Sequence, residues 1–274
     1  MSEVRAKKAL GQHFLTDLNI AQKICNSLTV RTEAEPEAAL EVGPGMGVLT
    51  QYLLQRTDIV TYAAEIDGES VEHLNAHYPQ LTPRLMAGDF LKMDLQTIFP
   101  SGVRVIGNFP YNISSQNFIK IIENRDIVPQ CVGMIQREVA VRIAAPPGSK
   151  EYGILSVLLQ AWYDIEYLFT VSEKVFNPPP KVKSAVIRLK RNSTTKLDCD
   201  EKLFVKVVKA SFGQRRKMLR NSLKAVFGNF GGAEHPLFTT RAEQLSVAQF
   251  VELTNWVAEH ILYLDLQLIN MPSQ

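Results

Sequence analysis

Short apolar segments alternate with helical segments along the first two thirds of the chain, and this alternation is what most restricts the possible folds. Strand candidates cover residues 38–42, 59–65, 85–88, 104–107 and 131–135. Helical spacing of apolar residues covers residues 18–28, 48–55, 70–76, 114–123 and 153–162. Regular strand–helix alternation predicts a doubly wound, mostly parallel α/β sheet.

The pattern changes after a last strand candidate at residues 182–189. A polar, linker-like stretch at 192–196 follows it. Beyond the linker, helical periodicity without a convincing strand covers residues 203–212, 215–227 and 247–264. We therefore predict an α/β domain over residues 1–191 and a small helical domain over residues 192–274.

The positive charge of the chain is concentrated in one segment. Residues 181–224 contain fourteen Lys and Arg against three acidic residues, a net charge of +11. The whole chain carries only +2, so the remainder sums to −9. A charge run is often only a solvated face, but one concentrated basic segment also suits a polyanionic partner.

Cysteine usage and hydropathy limit the environment of the protein. Its three cysteines are scattered and form no Cys-x-x-Cys pair, which argues against structural zinc and suits a reducing cytoplasm. The longest apolar run, residues 154–162, is far shorter than the roughly 20 residues that cross a bilayer. We expect a cytoplasmic monomer with no metal and no membrane contact.

A glycine-rich turn and two carboxylates follow successive strand candidates. Gly43 and Gly45, within Glu41–Gly47, permit a tight turn and close approach of a ligand to the backbone. The spacing is G-x-G-x-G, which differs from the dinucleotide fingerprint and from a P-loop. Glu65 is placed to accept both ribose hydroxyls of an adenosine ligand, and Asp89 to accept its adenine amino group. The alternative for Glu65 is a surface acid at a strand end, and the alternative for Asp89 is a cap of the next helix.

The tetrapeptide Asn108-Phe-Pro-Tyr111 after the fourth strand is the most specific signal. Its polar groups suit the methylation of an exocyclic amine on a nucleobase. This reaction is difficult because the lone pair of the amine is delocalised into the base. The Asn108 side-chain oxygen and the carbonyl of Phe109 or Pro110 can accept both N–H groups, which turns the lone pair toward a methyl donor. Tyr111 can stack on the extruded base. A chance Asn-Pro turn is the alternative.

A proline-rich loop, 176–183, leads into the last strand. Its three prolines predict a stiff, extended conformation. Phe176 at the head of this loop is a candidate for a second stacking face for the base. A core phenylalanine is the alternative.

Together these motifs resemble the KsgA family of small-subunit rRNA adenine N6,N6-dimethyltransferases, which is related to the Erm resistance methylases. The resemblance covers nearly the whole chain and rests on Gly11–Leu15, Glu41–Gly47, Glu65–Asp67, Asp89, Asn108–Ser114, Phe176–Ile187 and Ser211–Ser222. It implies a Rossmann-like class I methyltransferase domain that uses S-adenosylmethionine. It also implies dimethylation of two adjacent adenosines near the 3′ end of small-subunit (16S) rRNA in a pre-assembled particle, with a role in ribosome assembly.

The resemblance also assigns roles to individual residues. The cofactor would be contacted by His13, Leu15, Gly43, Gly45, Glu65, Asp89 and Asn108. The adenine would be held by Asn108, Pro110, Tyr111 and Phe176. One departure is His13, where the family usually has Asn. Because His can also donate a hydrogen bond, we expect cofactor binding to survive.

The basic segment is the predicted RNA-binding surface. On a helix, Arg216, Arg220 and Lys224 would share one face at spacing i, i+4, i+8. The remaining cations assigned to RNA are Lys181, Lys183 and Arg215. The alternative functions are a methylase acting on DNA or large-subunit rRNA, and an assembly factor without catalysis. A small-molecule methyltransferase would leave the basic segment without a purpose.

Overall fold

A seven-stranded sheet flanked by helices organises most of the chain. This computed structural model describes residues 6–7, 10–31 and 35–269, with side chains as far as residue 261. The strands are β1 Phe14–Leu15, β2 Glu37–Val42, β3 Ile59–Glu65, β4 Leu85–Ala87, β5 Arg104–Asn108, β6 Gln130–Gln136, β7 Tyr163–Val171, β8 Phe176–Asn177 and β9 Ser184–Arg191. The helices are α1 Leu18–Asn26, α2 Thr50–Leu53, α3 Gly68–His77, α4 Leu95–Ile98, α5 Ser114–Glu123, α6 Arg137–Ala144, α7 Ile154–Gln160, α8 Glu201–Gly213, α9 Leu219–Phe227 and α10 Val247–Ile269.

The order of the strands explains where a ligand can bind. The sheet runs β4-β3-β2-β5-β6-β9-β7, and β1 and β8 form a separate two-stranded ribbon. The strands β4, β3, β2, β5 and β6 are parallel, whereas β9 is antiparallel to both β6 and β7. After β2 the chain adds β3 and β4 on one side of β2, and it then returns to place β5 on the other side of β2. Such a switch point creates a crevice at the carboxyl ends of the two central strands.

Local sequence explains how the first helix is positioned. Asp17 caps α1 by accepting a hydrogen bond from the Ile20 amide at 3.0 Å. The apolar side chains at Ala21, Ile24 and Cys25 are buried. They join a core cluster that also contains residues of β5, β6 and β9, which fixes the helix against one face of the sheet.

Contacts divide the chain into two compact units. The first contains the residues up to Val141 together with Tyr163–Asn192, and the second contains Arg142–Trp162 together with the residues from Ser193 onward. The segment 142–162 thus groups by contact with the C-terminal helices, although the predicted boundary lies at residue 191. Within the second unit, the rings of Trp162 and Phe204 meet edge to face with centroids 6.2 Å apart.

The strand β7 has no counterpart among the predicted strands. This strand carries acidic residues, and Glu166 is one of them. Its carboxylate bonds Arg188 at 2.6 Å and Lys190 at 3.3 Å on the neighbouring β9. Cross-strand ion pairs and a place at the sheet edge therefore make the charges compatible with a strand. Arg188 and Lys190 are correspondingly occupied within the sheet.

The predicted helix 215–227 begins later in the structure. The described helix α9 starts at Leu219, and residues 214–217 form a turn after α8. The Arg215 side chain bonds Glu243 at 2.9 Å, and the Leu219 amide bonds the Thr240 carbonyl at 2.9 Å. These tertiary contacts hold the segment as a turn. The predicted shared helical face is therefore wrong for Arg216, which lies outside α9.

Within the described part of the chain, no helix is both long and apolar enough to cross a membrane.

Candidate active site

A cleft of about 270 Å³ lies at the carboxyl ends of the central strands. Its walls come from the N-terminal segment before α1, the glycine turn after β2, the ends of β3 and β4, and the loop after β5. All residues that the sequence analysis assigned to the cofactor line it, namely His13, Leu15, Gly43, Gly45, Glu65, Asp89 and Asn108. The fold thus brings together side chains that are far apart in the sequence.

The backbone of the glycine turn has a conformation that leaves room for a ligand in the cleft. Gly43 and Gly45 have φ values of +68° and +56°, a conformation that other residues rarely adopt. A Cβ on Gly43 would meet no atom within 4 Å, so this backbone faces open space. A Cβ on Gly45 would lie 3.0 Å from the Phe14 ring. Glycine is therefore favoured by conformation at both positions, and a side chain at Gly45 would also crowd the Phe14 ring.

Glu65 at the end of β3 is buried, with 3% of its surface exposed. One carboxylate oxygen accepts from the Gly45 amide at 3.0 Å and the other from the Asp67 amide at 2.9 Å. Burial raises the pKa of Glu65, and the two amide hydrogen bonds oppose that shift. Each oxygen keeps a lone pair, so the carboxylate can accept two further hydroxyl groups.

Asp89 acts as a cap and also lines the cleft. Its Oδ1 accepts from the Leu91 amide at 3.0 Å and begins a short 3-10 turn at Phe90. The capping role therefore uses only one of the two carboxylate oxygens of Asp89. Ile66, which also lines the cleft, is 56% exposed although it is apolar. An aromatic ring bound there would cover it.

Asn108 ends β5 with one side of its amide engaged. The Asn108 Nδ2 donates to the carbonyl oxygen of His13 at 3.0 Å. Its Oδ1 accepts no hydrogen bond from the part of the chain that the structure describes. The Phe109 ring beneath it is buried against Gly107 and Gly133, and its amide bonds the Met134 carbonyl at 3.0 Å. The loop is thus anchored in the core while the amide oxygen stays available.

Tyr111 is held from two sides. Its hydroxyl hydrogen-bonds the Ser184 hydroxyl at the start of β9, and its ring centroid lies 5.4 Å from that of His13. The His13 Nδ1 is 2.8 Å from the Pro178 carbonyl, which can only accept, so this nitrogen carries the proton. Burial raises the pKa of Tyr111, and the phenol remains protonated. The ring is therefore a fixed apolar surface beside Asn108.

Phe176 does not line the cleft. It is 4% exposed and pairs with Leu15 across the β1–β8 ribbon, within the core cluster of the sheet. The role assigned from the resemblance, stacking on a base, does not match this position. Its surroundings fit the alternative of a core phenylalanine, because pairing of β8 with β1 places Phe176 in the core cluster.

The candidate RNA-binding cations differ in their availability. Lys181 and Lys183 are exposed beside the start of β9, and Arg216 and Lys224 are exposed in the second unit. None of these four makes an ion pair within the described residues. By contrast, Arg215 and Arg220 bond acidic neighbours within the second unit, Glu243 at 2.9 Å and Glu234 at 2.5 Å respectively.

Glu41, at the start of the glycine motif, is a second buried carboxyl group. Thr50 donates to it at 2.5 Å. Burial raises the pKa of Glu41 to about 8, helped by the nearby charge of Glu65. An acid whose pKa is higher in the folded state contributes stability below its unfolded pKa. That contribution is lost as pH rises through 8.

Replacing Glu41 with glutamine is therefore expected to stabilise the protein at high pH. At pH 9, ionisation of the buried Glu41 lowers the free energy of unfolding of the wild-type protein by about 3–5 kcal/mol. The E41Q variant has no such group and should melt several degrees above wild type. At pH 4, below the unfolded pKa, the two melting temperatures should nearly agree. The exposed Glu72→Gln change serves as control and should show no pH-dependent difference. Equal melting of E41Q and wild type at pH 9 would contradict the raised pKa.

Comparison with known proteins identifies the group to which the chain belongs. The sequence model of the ribosomal RNA adenine dimethylase family matches residues 3–259 of the chain. The chain belongs to this family. The assignment made from the sequence motifs is thereby confirmed.

The relatives of this adenine dimethylase are similar over almost their whole lengths. The ribosomal RNA small subunit methyltransferase A of Parabacteroides distasonis is 58% identical over 95% of this chain and 97% of its own. The protein of the same name from Bacteroides thetaiotaomicron is 58% identical over 94% of this chain and 96% of its own.

Two solved structures have the same fold. A dimethyladenosine transferase from Plasmodium falciparum has a TM-score of 0.73 and 23% identity, covering 90% of this chain and 98% of its own. The 23S rRNA methyltransferase ErmE has a TM-score of 0.63 and 23% identity, covering 88% of this chain and 99% of its own. The predicted class I methyltransferase fold is thereby confirmed.

Proposed function

We propose that this adenine dimethylase transfers methyl groups from S-adenosylmethionine to the N6 atoms of two adjacent adenosines near the 3′ end of small-subunit rRNA. The observation that carries the proposal is the free Oδ1 of Asn108, fixed at the end of β5 in the same cleft as the Glu65 carboxylate. Family membership supports rRNA adenine as the target. The cytoplasm, where ribosomes assemble, is the compartment that fits this role.

The residues of the cleft fit S-adenosylmethionine. Glu65 has two lone pairs free for ribose hydroxyls, and Asp89 has one oxygen free for an adenine amino group. The bare backbone at Gly43 leaves room for the amino-acid part of the ligand. No pyrophosphate-binding helix end is needed for such a ligand. When bound, S-adenosylmethionine supplies an electrophilic methyl group on its sulfonium.

Asn108 and its neighbour Phe109 would prepare the adenine amino group. The Pro110 carbonyl already accepts from the Ile113 amide at 3.2 Å, which favours the Phe109 carbonyl as the second acceptor. Two acceptors placed in advance pull the amino hydrogens aside and leave the nitrogen lone pair directed at the methyl group. Tyr111 would stack on the base and fix its plane. The nitrogen loses its proton readily after methylation, so no strong base is required.

The exposed cations would neutralise rRNA phosphates. Arg216 and Lys224 are exposed in the second unit, and the turn before α9 also exposes Lys217. Phosphate contacts with single-stranded RNA change log affinity by about 0.7 per log unit of salt for each phosphate. If roughly five phosphates are neutralised, the slope for the wild-type protein is about −3.5.

Removing two of these cations should flatten that salt dependence. The double variant Arg216→Ala, Lys224→Ala is expected to show a slope less steep by about 1.4 when RNA affinity is titrated against salt. The matched control is the double variant Arg31→Ala, Lys92→Ala, which removes two exposed cations outside the basic segment. An unchanged slope in the first variant would remove these residues from the RNA surface.

The function itself is tested with labelled S-adenosylmethionine and small ribosomal subunits from cells that lack this methylation. We expect N6,N6-dimethyladenosine after digestion of the rRNA to nucleosides. Naked 16S rRNA, large-subunit rRNA and DNA are tested in parallel, and preference for any of them would correct the substrate. Binding of S-adenosylhomocysteine without any methyl transfer would favour an assembly factor without catalysis.

A further inference from the structure

Asn117 on α5 has a wholly buried side-chain amide. Both Nδ2 and Oδ1 are shielded from solvent, and neither has a hydrogen-bond partner within the described chain. The side chain belongs to a residue that lines the cleft. A buried unsatisfied amide is costly, and such a group in a native protein calls for an explanation, of which a ligand that completes the hydrogen bonds is one.

The neighbours of α5 indicate which residues lie near Asn117. One turn along the same helix face, the Lys120 ammonium donates to the Met93 carbonyl at 2.7 Å. The helix also packs against the 3-10 turn Phe90–Lys92, which Asp89 caps. Asn117 therefore belongs to the helix that contacts the segment after Asp89, the residue proposed to bind the adenine amino group.

The position of Asn117 in the helix is unusual for a polar residue. The buried face of α5 carries Ser114, Phe118, Ile121 and Ile122 in addition to Asn117. An amphipathic helix normally places an apolar side chain at such a position. An asparagine here loses packing energy, and the loss is offset if its amide binds a ligand.

The geometry points to Asn117 as a cofactor-contacting residue that reads the N7 edge of the adenine ring through Nδ2 to N7 and Oδ1 to the N6 amino group. An asparagine amide matches this edge of adenine with two hydrogen bonds. Asp89 would take the other hydrogen of the same amino group. The inference rests on the proposed use of S-adenosylmethionine. It adds a residue outside the motifs that carry the family resemblance.

The test compares S-adenosylhomocysteine with its 7-deaza analogue, which lacks the N7 acceptor, by titration calorimetry. The wild-type protein is expected to bind the analogue roughly tenfold more weakly. The Asn117→Leu variant should bind S-adenosylhomocysteine roughly tenfold more weakly than wild type and should not distinguish the two ligands. Loss of the preference, rather than weaker binding alone, identifies the contact.

Thermal melting without ligand separates a binding role from a structural one. Asn117→Leu removes two unsatisfied polar atoms and keeps the number and branching of the side-chain heavy atoms, so its melting temperature should equal or exceed that of wild type. The control is Asn124→Leu on the same segment. Asn124 donates to the Lys120 carbonyl at 2.9 Å, so its loss should lower the melting temperature and leave ligand binding unchanged.

The possible outcomes are distinct. Wild-type affinity in Asn117→Leu, or weaker binding with the preference for S-adenosylhomocysteine retained, would overturn the assignment of Asn117 and leave the proposed function standing. Failure of the wild-type protein to bind either ligand would overturn both.

Discussion

Asn108→Ala is expected to lower the rate of methyl transfer by about a hundredfold to a thousandfold. The change removes the Oδ1 acceptor that is proposed to orient the adenine amino group, and deleting one preorganised polar group of this kind has an effect of that size. The affinity for S-adenosylhomocysteine should weaken by less than about tenfold, because the proposed nucleoside contacts of Glu65 and Asp89 remain. Single-turnover methylation of small subunits measures the rate, and titration calorimetry measures the affinity.

Two further variants show whether the effect comes from the acceptor. Asn26→Ala removes an exposed asparagine at the end of α1 and should leave the rate unchanged. Asn108→Asp keeps an acceptor but loses the hydrogen bond to the His13 carbonyl and adds a charge beside it. Its rate should fall between those of wild type and Asn108→Ala. A rate for Asn108→Ala within threefold of wild type would show that the amine needs no acceptor at this position.

Glu65→Ala is expected to weaken S-adenosylhomocysteine binding by roughly a hundredfold to ten-thousandfold. Each hydrogen bond from a ribose hydroxyl to a carboxylate contributes about 1.5–3 kcal/mol, and the variant would lose the two that are proposed for Glu65. The increase in melting temperature that the ligand gives to the wild-type protein should disappear in the variant. Titration calorimetry and melting with and without ligand measure both effects.

The same carboxylate should make ligand binding depend on pH. Burial raises the pKa of Glu65, so the carboxylate takes up a proton at a higher pH than an exposed glutamate. Protonation removes acceptor capacity, and affinity should therefore fall as pH decreases through this raised pKa. Glu69→Gln is the control, since Glu69 is exposed on α3 and bonds Lys7 at 3.1 Å. Its affinity should match wild type at every pH, and a Glu65→Ala variant that still binds would refute the ribose assignment.

The spacing of apolar residues determined most of the architecture in advance. The parallel strands β2, β3, β5 and β6 and the helices α1, α3 and α5 lie where alternation and helical periodicity predict them. Such elements are encoded by residues that are neighbours in the chain. Glycines and carboxylates that end successive parallel strands must converge, which is why the cleft residues were predictable from sequence alone.

Other features depend on residues distant in the chain. The strand β7 is compatible with its acidic residues because β9 supplies Arg188. The start of α9 at Leu219 depends on Thr240, which accepts the Leu219 amide. No local pattern contains these partners.

The inward position of Phe176 and the partnerless amide of Asn117 were likewise decided only by the tertiary structure. Phe176 is buried because β8 pairs with β1 across some 160 residues of chain, at Leu15. Asn117 breaks the apolar face of α5, a signal that the sequence contains. Only packing shows that its amide is shielded beside the cleft, with no hydrogen-bond partner in the described part of the chain. The sequence by itself determined the family, the sheet and the residues at the strand ends, because local periodicity and motif spacing encode them. Burial and hydrogen-bond satisfaction are properties of the packed chain, so they emerged only with the tertiary structure.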